Sequence, residues 1–150
     1  MLSRLTFAAL ALFVASVFLY APAAQAQDKG SKVVAKGDFH NADKAGKGTA
    51  TVYEVADGKR VLRLSNFQTD NGPDLHVRLI AADDAKDTDS VKKAEFVELA
   101  KLKGNKGNQN YDLPKDVDLS KYKVVSIWCN RFSVNFAAAP LTEPRLSTRG

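Results

Sequence analysis

The chain has 150 residues, with 22 Lys and Arg against 17 Asp and Glu, a formal net charge of +5 and a single cysteine. The charges are scattered: Asp83, Asp84, Asp87 and Asp89 precede Lys101, Lys103 and Lys106. That is not the basic stripe with interleaved aromatics of a nucleic-acid binder. One cysteine excludes an internal disulfide, so packing must hold the fold.

At the start, Arg4 is followed by an apolar, uncharged run from Leu5 to Leu19 and by Ala24-Gln25-Ala26. This reads as a secretory signal peptide over residues 1–26, cleaved before Gln27. The run falls short of the about 20 apolar residues that span a bilayer. No cysteine follows the cleavage motif to carry a lipid. The expectation is a soluble periplasmic or secreted protein with no stable membrane span, one domain over residues 27–141 and a flexible tail over 142–150.

Val33 to Phe39 and Gly48 to Val55 read as strands on either side of a Gly/Asn/Asp-rich loop, residues 40–47. Asp57-Gly58 between two strand-like runs signals a hairpin, with Arg60 to Phe67 as its second arm. Gln68 to Pro73 is turn material. Asp74 to Ala81 alternates cleanly, with Leu75, Val77 and Leu79 inward and Asp74, His76 and Arg78 outward. Residues 82–94 form a charged loop with a helical turn around Ser90 to Ala94. Phe96 to Leu102 and Gln109 to Leu113 read as strands on either side of a turn, residues 104–108.

The last long run, Val124 to Phe136, holds the only tryptophan and the only cysteine. Val125, Ile127 and Cys129 share one parity, and so do Phe132, Val134 and Phe136 beyond Asn130-Arg131. That break reads as a two-residue hairpin loop or a bulge, and the hairpin sets Cys129 opposite Phe132. The partly apolar opposite parity (Val124, Ser126, Trp128) implies an arm covered on both faces. About eight short strands and no long helix predict an all-β fold, an antiparallel β-sandwich or barrel. The expected core is Leu62, Leu64, Leu75, Val77, Leu79, Ile127, Phe132, Val134 and Phe136.

Cys129 is the leading candidate for chemistry. A free cysteine is either a small buried hydrophobe or a reactive thiol. At a strand end beside Arg131, positive charge would favour its thiolate. With no second cysteine it would act through a mixed disulfide, a sulfenic acid or a bound cofactor. Trp128 is a packing residue or, in the sharper reading, an electron relay or stacking platform. Asp74 follows Pro73 and suits turn chemistry. No cofactor or metal is evident: His40 and His76 share no ligand spacing, and no Cys-x-x-Cys-His is present. A nucleophile elbow is missing too, which argues against a hydrolytic enzyme.

Four segments occur in a telling order: Val61 to Phe67; Gly72-Pro73-Asp74-Leu75-His76-Val77; Gly104 to Pro114 with Tyr111-Asp112-Leu113; and Val125 to Phe136 with Trp128-Cys129. The chain resembles the DM-13 domain, also called the electron-transfer DM-13 domain, over roughly Lys32 to Leu141. The resemblance implies a β-rich extracytoplasmic domain whose characteristic cysteine, matching Cys129, serves redox chemistry. In eukaryotes such domains sit beside DOMON domains and b-type cytochromes. No such segment occurs in this chain, so the expected redox partner is a separate envelope protein. Ala137 stands where the family pattern leads one to expect Gly. Two functions follow as expectations. One is a redox accessory working through Cys129, Trp128 and Arg131 with the Gly72-Pro73-Asp74 turn in support. The other is a non-enzymatic envelope binding or structural module with a buried structural cysteine.

Overall fold

Apolar residues spaced two apart along the chain take up strands in two antiparallel sheets. The computed structural model describes residues 30–145, so the signal segment, its cleavage site and residues 146–150 of the tail lie outside the described residues. The strands are β1 (Lys32–Asp38), β2 (His40–Asn41), β3 (Gly46–Glu54), β4 (Arg60–Thr69), β5 (Leu75–Ile80), β6 (Phe96–Lys101), β7 (Lys106–Asp112), β8 (Val124–Cys129) and β9 (Val134–Pro140). One sheet has the order β1-β3-β4-β7 and the other β2-β9-β8-β5-β6. The sheets stay separate, so the fold is a sandwich and not a closed barrel.

The inward faces supply the main core: Leu62, Leu64 and Phe67 from β4, Leu75, Val77 and Leu79 from β5, and Val125, Ile127 and Cys129 from β8. Alternation carries this pattern because successive strand side chains point to opposite faces. Asp57 and Gly58 both take positive φ (64° and 71°) in the tight turn joining β3 to β4. The expected hairpin forms there.

The segment read as a loop over residues 40–47 is partly sheet. His40 and Asn41 pair with Ala138 and Ala137, and β3 starts at Gly46. Gly46 makes this possible, since a Cβ there would lie 2.1 Å from the Ala137 Cβ. Single-strand periodicity carries no signal for a pairing of two residues.

Phe132 is a clear correction. It is 58% exposed and belongs to no core. The connection between β8 and β9 is a four-residue turn, residues 130–133, and Cys129 pairs with Val134 and not with Phe132. Asn130 is captured elsewhere: its N–H donates to the Asp74 carbonyl (2.9 Å) and its side-chain oxygen accepts from Arg78 (2.7 Å). Asn130 thus extends the pairing of β8 with β5 by one residue, while the β8–β9 ladder ends at the Cys129↔Val134 pair. Farther along β9 the register shifts between Ile127 and Trp128. The extra residue puts both Phe136 and Ala137 in the main core, while Val134 is half-buried.

The outer face of the five-stranded sheet is covered in part by α1 (Thr88–Lys92), capped by Asp87, whose side chain accepts the Ser90 N–H. The cap starts the helix ahead of the expected turn at Ser90 to Ala94. Val91 packs with Ile80, Val124, Trp128 and Ala138 in a second, smaller apolar cluster, so β8 is covered on both faces as its composition implied. Beyond β9, Leu141 is buried and Thr142 exchanges two backbone hydrogen bonds of 2.9 Å with Lys36. Among the described residues, no helix is long and apolar enough to cross a membrane.

Candidate functional site

Connectivity gathers the loops 42–45, 70–74, 102–105 and 130–133 at one end of the sandwich, because each joins strand ends lying in register. The Gly72-Pro73-Asp74 turn delivers β5 into this end, where Leu75 is the register partner of Cys129. A Cβ on Gly72 would come within 2.6 Å of the Leu75 Cδ2 and 3.0 Å of the Phe136 ring. Only glycine lets the turn sit that close to the core. The Leu75 carbonyl accepts the Leu102 N–H (2.8 Å), and the Asp74 carbonyl accepts the Asn130 N–H. The supporting turn and the cysteine, separate in sequence, are thus joined by main-chain bonds.

Cys129 is free and wholly buried, its side chain turned into the main core. It is also the last residue of β8, directly before the exposed turn. Trp128 is its neighbour in sequence but faces the opposite side, in the smaller cluster beside α1. Arg131 is exposed on the turn, so its guanidinium sits outside while the thiol sits inside. The three candidates share one strand end and point in three directions.

Outside the expected set, the outer face carries a polar network. His76 Nε2 lies 2.9 Å from Asp74 Oδ1, and its buried Nδ1 lies 3.2 Å from Glu98 Oε1 without a well-aligned hydrogen bond. The hydrogen bond from His76 is the main reason the Asp74 carboxyl is held below the ordinary carboxylate value. Asp74 is therefore more than a turn residue. The Arg78 guanidinium lies between two rings, 4.1 Å from the Phe96 centroid and 5.2 Å from that of Trp128. It also approaches Glu98 at 3.4 Å while donating to Asn130. Alternation along β5 set Asp74, His76 and Arg78 on one face. Their partner Glu98 follows only from the register Arg78↔Glu98.

The other histidine, His40, has Nε2 2.7 Å from Asp84 Oδ1 and Nδ1 2.7 Å from the Asn41 carbonyl. Burial lowers its pKa, but the Asn41 and Asp84 hydrogen bonds together outweigh burial and hold it above the ordinary value. Among the described residues, no three His, Cys, Asp or Glu side chains converge as metal ligands would. An open groove lined by Val34, Arg60, Leu119, Lys123 and Leu141 lies at the end of the sandwich opposite Cys129. What remains at the Cys129 end is one thiol, enclosed by packing and one residue away from solvent-exposed chain.

Residues 38–141 match the family model described as electron transfer DM13. No curated protein and no solved structure matches this chain.

Proposed function

Since the chain belongs to the electron transfer DM13 family, we propose that it is an exported redox accessory whose single thiol, Cys129, exchanges with a separate envelope protein. The family carries the general role in electron transfer. The thiol mechanism is supported by one observation: Cys129 closes β8 immediately before the exposed turn 130–133. A short local opening of that turn brings a core sulfur to the surface.

The chemistry proposed is thiol–disulfide exchange. The Cys129 proton passes to water, and the thiolate attacks one sulfur of a partner disulfide. A mixed disulfide forms between Cys129 and the partner, and the partner's second sulfur leaves as thiolate. The thiolate lone pair becomes the new S–S bond and the electron pair of the broken bond leaves with the partner's second sulfur, so Cys129 rises to the disulfide level as one partner sulfur falls to the thiolate level. Arg131 lies on the turn that opens, two residues from the sulfur. Trp128 anchors the outer face of β8, and Gly72-Pro73-Asp74 holds the partner strand, so the opening stays local.

A second reading is favoured by the completeness of burial, because a thiol with 0% exposure also suits an envelope binding or structural module. Reaction with a soluble aromatic disulfide reagent, followed against urea, separates the two. Under the redox reading, Cys129 reacts in the folded state with little urea dependence, and Arg78→Ala, which frees Asn130, speeds the reaction. If the reaction appears only in step with global unfolding, the redox reading fails and the binding module replaces it. Export is tested by intact mass of material from the envelope or medium, expected to start at Gln27; a retained Met1 overturns it.

A further inference from the structure

We propose that His76 is a pH-sensitive latch on the turn beside Cys129: as an imidazolium it holds Asp74 and Glu98, through which the sheet grips Asn130, and on losing its proton it releases one of them. The bearing of this latch on the thiol rests on the redox reading above.

His76 lies on the outer face of β5, its side chain 15% exposed, between β6 and β8. Its Nε2 is 2.9 Å from Asp74 Oδ1, and its buried Nδ1 is 3.2 Å from Glu98 Oε1. A neutral imidazole has one N–H and one lone pair. With the hydrogen on Nε2, the Nδ1 lone pair faces Glu98; with it on Nδ1, the Nε2 lone pair faces Asp74. Either tautomer sets a lone pair against a carboxylate oxygen. Only the imidazolium offers an N–H to both. Because the Nδ1 contact lacks hydrogen-bond alignment, charge attraction is what holds it, and it is the contact that fails when the proton leaves.

Two carboxylates and two cations surround the ring. Asp74 and Arg78 flank His76 on β5, while β6 supplies Glu98 and Lys101, the register partner of His76. β8 carries no charged residue and sets Trp128 beside the ring. Lys101 Nζ lies 3.7 Å from Asp74 Oδ1, and the Arg78 guanidinium lies 3.4 Å from Glu98 Oε1. The cations thus keep both carboxylates ionised and in place against the ring.

Both carboxylate residues lead to Asn130, the first residue of the turn beyond Cys129. The Asp74 carbonyl accepts the Asn130 N–H (2.9 Å), and Arg78, set against Glu98, donates to the Asn130 side-chain oxygen (2.7 Å). When the ring is neutral, repulsion moves Glu98 off Nδ1, and Arg78 shares that same Glu98 oxygen. Arg78 then follows Glu98 or loses it, and its grip on Asn130 loosens. Local opening of the turn becomes more frequent, and the sulfur behind it is uncovered more often. The closed turn binds the His76 proton more tightly than the open one, so low pH closes it and high pH frees it.

Amide hydrogen exchange of Asn130 in the reduced protein, corrected for the intrinsic pH dependence of exchange, reads this opening without touching sulfur. The chain has two histidines, so a His40→Gln background leaves His76 as the ring whose titration is followed by its carbon shifts. Protection of Asn130, relative to amides of β3, should fall roughly fivefold or more as the ring loses its proton. His76→Gln should make this ratio flat with pH. Glu98→Gln, which removes the charge facing Nδ1, should flatten it while the ring still titrates. Asn130 protection that ignores the ring's titration overturns the proposal. So does an unchanged pH dependence in His76→Gln, or a ring that keeps one charge state wherever the protein is folded. A pH-insensitive Asn130 beside a reactive Cys129 overturns the latch alone, whereas a pH-responsive Asn130 beside an unreactive Cys129 overturns the redox reading alone.

Discussion

Asn135→Ala should cost this domain about 2–6 kcal/mol and loosen the cover over Trp128. Asn135 is wholly buried on β9 and is not part of either apolar cluster. Its Oδ1 accepts the Ser126 hydroxyl (2.8 Å), and its Nδ2 donates to the Ala85 carbonyl (3.0 Å) and, more weakly, to that of Asp87 (3.4 Å). Its main-chain N–H donates to the Thr88 hydroxyl (2.9 Å). The side chain thus ties the segment carrying α1 to the sheet. Removing it leaves the buried Ser126 hydroxyl and the Ala85 carbonyl without their partner, at about 1–3 kcal/mol each. The contact at 3.4 Å adds little, since hydrogen bonds weaken at that length. Against a typical stability of about 5–15 kcal/mol the loss is large. Urea unfolding followed by the fluorescence of Trp128, the only tryptophan, gives both readouts. The midpoint should fall, and emission in the native baseline should shift to the red as the α1 segment lifts. In a double-mutant cycle, Ser126→Ala with Asn135→Ala should show coupling of about 1 kcal/mol, because the two share one bond. A loss below about 1 kcal/mol with unchanged native emission would refute the reasoning, since the network would then not be what holds α1 down.

Other substitutions separate packing from exposure. Phe136→Ala, at a ring 1% exposed, should cost about 3–5 kcal/mol, whereas Phe132→Ala should stay within about 0.5 kcal/mol; comparable urea midpoints for the two would contradict the placement of Phe132 on the turn. At Cys129, Ala should cost about 1 kcal/mol for the lost sulfur. Ser should cost more than Ala, by about 1–2 kcal/mol, because its hydroxyl would be buried among apolar neighbours; equal melting temperatures for the two variants would argue against an enclosed thiol. His40 binds its proton more tightly in the folded state than its ordinary value of 6.5. Its contribution to stability is therefore complete below that value and declines as pH rises through the raised folded one. His40→Gln should remove this decline from the stability–pH curve; a wild-type stability that climbs relative to the variant above pH 6.5 would contradict the sign.

Much of this protein was legible in its sequence, for local reasons. Strand alternation is a property of a few consecutive residues, so the inward faces of β4, β5 and β8 could be read before any pairing was known. Asp57-Gly58 specified its own turn, since Gly accepts positive φ freely and Asp tolerates it. The apolar parity of Val124 and Trp128 announced a strand covered twice.

What the chain alone left open depended on partners distant in sequence. Phe132 follows the parity of Val134 and Phe136, yet it stands in solvent because Cys129 pairs with Val134, which leaves Phe132 in the four-residue turn between the strands. The bulge that brings Phe136 and Ala137 to the same face is set by the register with Ile127 and Trp128. The pairing of His40-Asn41 with Ala137-Ala138 needs the missing Cβ of Gly46. Tertiary structure alone also decided that Arg131 and the sulfur of Cys129, two residues apart, lie on opposite sides of the protein surface. Side-chain periodicity says which residues share a face within one strand. It says nothing about where a ladder stops, because that depends on the register two strands take, and here Cys129 pairs with Val134.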